Sequence, residues 1–118
     1  MHILVVDDDL LAAELTGMVL EEAGHSTVLA ENAMDASAQL DSDPGIELVI
    51  SDLNMPLVSG LEFLRELRSQ GVTLPFILLS GDDAESLRDS EPGLTDCLLK
   101  DELLGENLPE AVARLTSS

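Results

Sequence analysis

Short, unbroken apolar runs alternate along this chain with longer stretches in which apolar residues recur at helical spacing. The runs are Ile3-Leu4-Val5-Val6, Ile46 to Ile50 with Glu47 interrupting it, Phe76-Ile77-Leu78-Leu79, and Cys97-Leu98-Leu99. A strand that is apolar at successive positions, rather than alternate ones, is covered on both faces, as in a parallel sheet between helical layers. The runs predict strands over about residues 2–6, 46–51, 75–80 and 95–99, and a further strand falls at about 26–30. The stretches between predict helices over about 10–23, 33–40, 60–69, 84–90 and 107–115. The first helix groups Leu11, Leu15, Met18, Val19 and Ala23 near one face, and Gly24 stops it. The second has Asn32 as its N-cap and Ala33, Ala36 and Leu40 inward. The third carries Leu61, Leu64 and Leu67 and ends at Gly71. The fourth is the weakest, with Ala84 and Leu87 nearly its only apolar residues and Pro92-Gly93 cutting it short. The fifth takes Asn107 as cap and Leu108, Val112 and Leu115 as its inner residues, with Pro109 tolerated in the first turn.

Strand and helix thus alternate in (βα)5 order, which implies an α/β fold: a doubly wound parallel sheet with helices on both faces, a three-layer sandwich. The strand order 2-1-3-4-5 is the flavodoxin-like arrangement, with its switch point between the first and third strands. A chain of 118 residues is long enough to bury a real core, and it reads as one domain over 1–118 without repeat, low-complexity tract or linker.

In an open sheet of this kind the chemistry lies at the carboxyl ends of the strands. Asp7, Asp8 and Asp9 stop the first run, Ser51-Asp52 the second, Ser80-Gly81 the third, and Lys100, the only lysine, the fourth. Asp7, Asp8, Asp52, Ser80 and Lys100 are therefore expected to converge, although they are spread over most of the chain. Carboxylates, a hydroxyl and one ammonium in a single crevice suit a divalent cation and a phosphoryl group. Taken singly these residues say less. An aspartate triplet before a helix serves as a cap, and Asp9 is given that role alone. A lone Ser80 is a loop residue, and a lone Lys100 a solvated charge.

Composition narrows the classes. The net charge is −19, from 24 acids against 5 bases, which speaks against direct nucleic-acid binding. The absence of tryptophan and tyrosine, with only two phenylalanines, removes a stacking platform for bases. An apolar fraction of 45% is too high for a disordered acidic chain. No run has the length of a membrane span and no signal-peptide pattern opens the chain, so no membrane insertion is expected. The single Cys97 lies in an apolar run and fits a core position in a reducing cytoplasm. His2 and His25 have no metal-ligand spacing.

The ordered set of strand-end motifs resembles the receiver domain of the two-component response-regulator family, in its chemotaxis-regulator-like form. Val5-Val6-Asp7-Asp8 matches the family's acidic pair, and Val49-Ile50-Ser51-Asp52-Leu53-Asn54-Met55-Pro56 with Gly60 matches its phosphoacceptor loop. Leu79-Ser80-Gly81 matches the hydroxyl site and Leu99-Lys100 the lysine site. The resemblance spans essentially the whole chain. It implies that Asp52 is the phosphoacceptor of a phosphorelay. It also implies that Asp8, Asp52 and the backbone carbonyl of Asn54 hold Mg²⁺, with Asp7 directly or through water. Ser80 would be the switch hydroxyl and Lys100 the lysine that pairs with the phosphoryl group. The implied donor is a histidine kinase or histidine phosphotransfer protein, and the output partner is unspecified. Such a domain catalyses its own phosphorylation and dephosphorylation without being a turnover enzyme in the usual sense. In the family, side chains two places after the phosphoacceptor and the switch hydroxyl line the path of hydrolytic water; here they are Asn54 and Asp82.

The pattern is broken at two positions. The family usually has proline after the lysine, where this chain has Asp101, and an aromatic residue three places before it, where this chain has Cys97. The family's lysine–proline bond is typically cis. A cis bond without proline costs roughly 2.5–4 kcal/mol, so the Lys100-Asp101 bond is expected to be trans. The atypical output face keeps an alternative open, a receiver-like protein-interaction module that works without phosphorylation. A phosphatase acting on free substrates is weaker, because Asp52-Leu53-Asn54 lacks a second aspartate to act as general acid.

Overall fold

A computed structural model of the chain describes residues 1–81, 89–91 and 93–116. The five strands are β1 (His2–Val6), β2 (Ser26–Ala30), β3 (Leu48–Asp52), β4 (Phe76–Ser80) and β5 (Asp96–Leu99). They form one parallel sheet in the order β2-β1-β3-β4-β5, the order expected from the sequence. The described helices are α1 (Leu10–Glu22), α2 (Ala33–Ser42), α3 (Gly60–Ser69) and α4 (Leu104–Thr116). Of the helix expected over 84–90, residues 84–88 lie outside the described residues, and 89 and 90 are helical.

Pleating divides each strand between two layers. Leu4, Val6, Val49 and Leu78 pack with Ala33 and Ala36 of α2 and with Phe63, Leu64 and Leu67 of α3. Ile3, Val5, Ile50, Ile77 and Leu79 pack on the other face with Ala13 and Leu20 of α1 and with Leu108, Ala111 and Val112 of α4. Phe63 and Phe76 meet edge to face at 5.9 Å, a favoured arrangement of ring quadrupoles. Cys97 is buried in the first of these cores.

Two helices depart from their sequence pattern. The α1 stripe of Leu11, Leu15 and Met18 lies at 65%, 55% and 61% exposure, so this apolar face is turned to solvent. The face that packs inward is Ala13, Gly17 and Leu20. Gly17 explains the choice, since a Cβ there would stand 3.3 Å from Thr27 Oγ1. The small residues let α1 lie close on β2, and close packing outweighs the bulk of the leucines.

The last helix begins at Leu104, and Asn107 is inside it rather than its cap. Asp101 begins the turn instead. Its Oδ1 accepts from Leu103 N–H at 2.9 Å and its carbonyl from Leu104 N–H at 3.1 Å. Asn107 N–H already bonds to the carbonyl of Leu103 at 2.9 Å, which a capping residue does not do. Pro109 therefore falls within the helix. The Lys100-Asp101 peptide bond is trans, as its chemistry leads one to expect.

Candidate functional site

The strand-end residues stand at the carboxyl edge of the sheet, in or just past the last positions of their strands. Asp7 N–H donates to Ala30 O at 3.0 Å, which ties the chain leaving β1 to the end of β2. Asp7 Oδ1 accepts from Asp9 N–H at 3.0 Å, folding the aspartate triplet into a turn. Asp9 then caps α1, accepting from Leu11 and Ala12 N–H, as expected of it. Asp7 is buried and Asp8 exposed. Asp52 is the last residue of β3 and is 7% exposed, and its Oδ1 faces Asn54 N–H at 3.4 Å. Ser80 closes β4, wholly buried, and pairs in register with Leu99. Lys100 N–H donates to Ser80 O at 2.7 Å, which fixes the root of the lysine beside β4.

The side chains converge as the topology requires. Asp7, Asp8 and Asp52 each offer a carboxylate oxygen, and these lie within 4.8 Å of one another. Lys100 Nζ reaches over them, 3.3 Å from Asp7 Oδ2 and 3.4 Å from Asp52 Oδ1. Of Asn54, the second residue past Asp52, only the N–H contact just given bears on the cluster. Asp82 lies outside the described residues. His2 belongs elsewhere, at the start of β1, with Nε2 2.7 Å from Asp43 Oδ2 and Nδ1 2.7 Å from Ser26 Oγ.

Gly60 received no role from the sequence beyond its place in the motif, and the structure gives it one. A Cβ there would stand 2.3 Å from the carbonyl oxygen of Asp52 and 2.7 Å from Leu78 Cδ2. Only a glycine lets α3 start directly against the backbone of the central aspartate. The available signal was a glycine at the first position of a helix that Ser59 and Glu62 already close with a capping box.

Burial raises the carboxyl of Asp52 above the usual aspartate range; Lys100 opposes that shift and the Asp7 charge adds to it. Burial works against the Lys100 ammonium, but the joint attraction of Asp52 and Asp7 prevails and holds it above its ordinary value. The consequences for stability have definite signs. A raised aspartate favours the fold when protonated, so its contribution falls as pH rises from the ordinary aspartate value through the raised one. The raised lysine contributes fully below its ordinary value and is lost only as pH climbs above it. In metal-free buffer, Asp52→Asn is expected to make unfolding free energy climb more steeply with pH just above the ordinary aspartate value of about 3.9. Urea melts at stepped pH check this, and parallel curves for the two proteins would count against it.

The donor set tests what the cluster suits. All of its ligand atoms are carboxylate oxygens, the preference of hard divalent cations and not of zinc or copper sites. Three ionised carboxylates this close repel one another, and the single ammonium offsets only part of that.

Comparison with known proteins agrees with the geometry. The family model described as response regulator receiver domain matches residues 3–113. The chain is 38% identical to the response regulator MprA of Mycobacterium avium over 98% of its own length and 51% of that protein. It is 36% identical to the alkaline phosphatase synthesis transcriptional regulatory protein SphR of Synechococcus elongatus, over 84% of this chain and 42% of that one. The chain thus spans about half the length of the curated relatives it matches. Among solved structures it is similar to the response regulator TrrA of Thermotoga maritima in complex with Mg²⁺–BeF, with a TM-score of 0.84, 32% identity and 97% of each chain covered.

Proposed function

This chain belongs to the response regulator receiver domain family, and on that premise we propose that Asp52 accepts a phosphoryl group from the phosphohistidine of a histidine kinase or histidine phosphotransfer protein. The observation that carries the reading is the meeting of Asp7, Asp8, Asp52 and Lys100 from three different strand ends at one point. An oxygen of Asp52 attacks phosphorus, the phosphorus–nitrogen bond of the donor breaks, and the donor leaves as neutral imidazole with the proton it takes up. Asp52 is left as an acyl phosphate. The chain supplies position and charge, which is most of what this transfer needs.

Asp7, Asp8, Asp52 and the carbonyl of Asn54 are the residues that would hold Mg²⁺. When bound, Mg²⁺ neutralises and orients phosphoryl oxygens. Lys100, already 3.4 Å from Asp52, meets the new negative charge, and the buried Ser80 hydroxyl is the group that turns toward it. The change at Ser80 and Lys100 is passed to β5 and α4, whose surface meets the output partner. The family resemblance assigns short polar residues to positions 54 and 82, which favours a short-lived acyl phosphate. The relative named as a transcriptional regulator is about twice the length of this chain. No described helix is long and apolar enough to cross a membrane. A single buried cysteine suits the reducing cytoplasm, where we place the chain.

Beryllofluoride with Mg²⁺ should bind and raise the melting temperature, and acetyl phosphate with Mg²⁺ should add the mass of one phosphoryl group. Inertness to both, in a protein that does bind Mg²⁺, would favour an interaction module that works without phosphorylation. Mg²⁺ alone should also stabilise the fold, by about 2.7 kcal/mol at a hundredfold excess over its dissociation constant. Asp8→Asn should remove most of that gain. An equal melting shift in both proteins would take Asp8 out of the metal site.

A further inference from the structure

Leu57 combines a left-handed backbone with a fully exposed apolar side chain. Its φ is 70°, in the left-handed region that costs an ordinary L-residue energy and that glycine or asparagine enters more easily. Its side chain is 100% exposed, so no buried contact offsets that cost. The loop itself holds this conformation, with Val58 N–H donating to the Pro56 carbonyl at 2.8 Å and Gly60 N–H to the Leu53 carbonyl at 2.9 Å, and it leaves the apolar side chain out in solvent. Met34, in the first turn of α2, is similarly bare at 84% exposure.

Leu57 and Met34 are the lips of one groove. Its cavity of about 290 Å³ is also lined by Glu31, Ala33, Pro56 and Val58. Small-molecule pockets begin at roughly 300 Å³ and enclose their ligands. This open, shallow groove suits a protruding side chain better. Its place is as informative as its size. One wall is the loop that leaves Asp52, and the other follows β2, whose Ala30 carbonyl holds Asp7. The groove thus shares the carboxyl-end rim of the sheet with the phosphoacceptor.

Resting on the phosphoacceptor reading, we infer that this groove seats an aliphatic side chain of the phosphodonor protein, flanked there by lysine or arginine. Asp52 is only 7% exposed. A protein that brings a phosphohistidine to it must press its surface onto the surrounding rim. Leu57 and Met34 are exposed apolar groups there, and burying them on contact returns the hydrophobic free energy that the isolated fold forgoes. Charge selects the flanks. Glu31 borders the groove, Asp35 lies beside it with Oδ2 on Glu31 N–H at 3.3 Å, and the chain carries −19 overall. A basic border on the donor is complementary to all three.

The test is phosphotransfer from each purified, autophosphorylated histidine kinase of the source organism to wild type, Leu57→Asn and Met34→Ala, with acetyl phosphate labelling measured in parallel. Asparagine accepts a positive φ, so Leu57→Asn should melt at or above the wild-type temperature. Both variants should take label from acetyl phosphate at the wild-type rate. From the kinase that prefers the wild type, kcat/KM should fall roughly tenfold or more in each variant. Equal transfer to all three proteins would overturn the inference. Acetyl phosphate labelling with no transfer from any kinase would overturn it as well, leaving the phosphoacceptor reading intact. Failure with acetyl phosphate too would remove the phosphoacceptor reading and this inference together.

Discussion

Asp52→Asn is expected to take no phosphoryl group from acetyl phosphate or from a kinase, while keeping its fold. The amide lacks the nucleophilic oxygen anion, and nothing nearby replaces it. Asp7 is buried and already holds Asp9 N–H and Lys100, and Asp8 is exposed, without the Lys100 contact that Asp52 has. The fold should survive because the substitution removes a buried carboxylate from a cluster of three. Lys100→Ala gives the contrast. It leaves the proposed nucleophile in place, so label should still be incorporated, but the group proposed to meet the phosphoryl charge is gone. The spectral response of β5 and α4 to beryllofluoride should then be lost or much reduced. Intact-mass measurement and amide NMR separate the two variants. Label persisting in Asp52→Asn at the wild-type level would place the modification elsewhere.

Gly60→Ala is expected to be among the most damaging single-methyl changes in the chain. The added carbon would sit 2.3 Å from the Asp52 carbonyl oxygen, a backbone atom that cannot move without shifting β3. Overpacking a core typically costs 1–3 kcal/mol, and contact with backbone puts this site at about 3 kcal/mol or more. The strain falls on the backbone of Asp52, the proposed phosphoacceptor, so Mg²⁺ binding should weaken together with stability. Gly105→Ala is the control. Gly105 lies in α4 with nothing within 4 Å of a would-be Cβ. That change should stabilise by about 0.5–1 kcal/mol, because alanine loses less backbone freedom in a helix. Urea denaturation of the two variants reads both signs. A Gly60→Ala protein as stable as wild type would mean that α3 can move away from Asp52 freely.

What the sequence reveals here follows from where the physics is local. Buried parallel strands announce themselves as apolar runs, so Ile3 to Val6 and Phe76 to Leu79 locate their own strands, and the residues that stop them become the site. Helix orientation is less local. Ala13 and Gly17 give almost no hydrophobic signal, yet they set which face of α1 can approach β2, and the louder pattern of Leu11, Leu15 and Met18 points the other way. The start of α4 turns on two residues that are both good caps, Asp101 and Asn107. Pro109 favours the later one, but Leu104 and Leu108 both pack in the core that α1 shares, and this draws the helix back to the earlier one. The left-handed backbone at Leu57 has no signature at all, since neither glycine nor asparagine stands there.

The outward stripe of α1 sets the colloidal behaviour of the chain. Leu10, Leu11, Leu15 and Met18 are each more than half exposed, and such surface draws copies together at contact range. A charge of −19 holds those copies apart, but only over a screening length of about 8 Å in physiological salt. The two ranges are comparable, so dispersal of the protein is an electrostatic state rather than a property of its surface chemistry. It grows as pH rises above the isoelectric point near 4.1 and vanishes toward that point, where the leucines meet with nothing to oppose them.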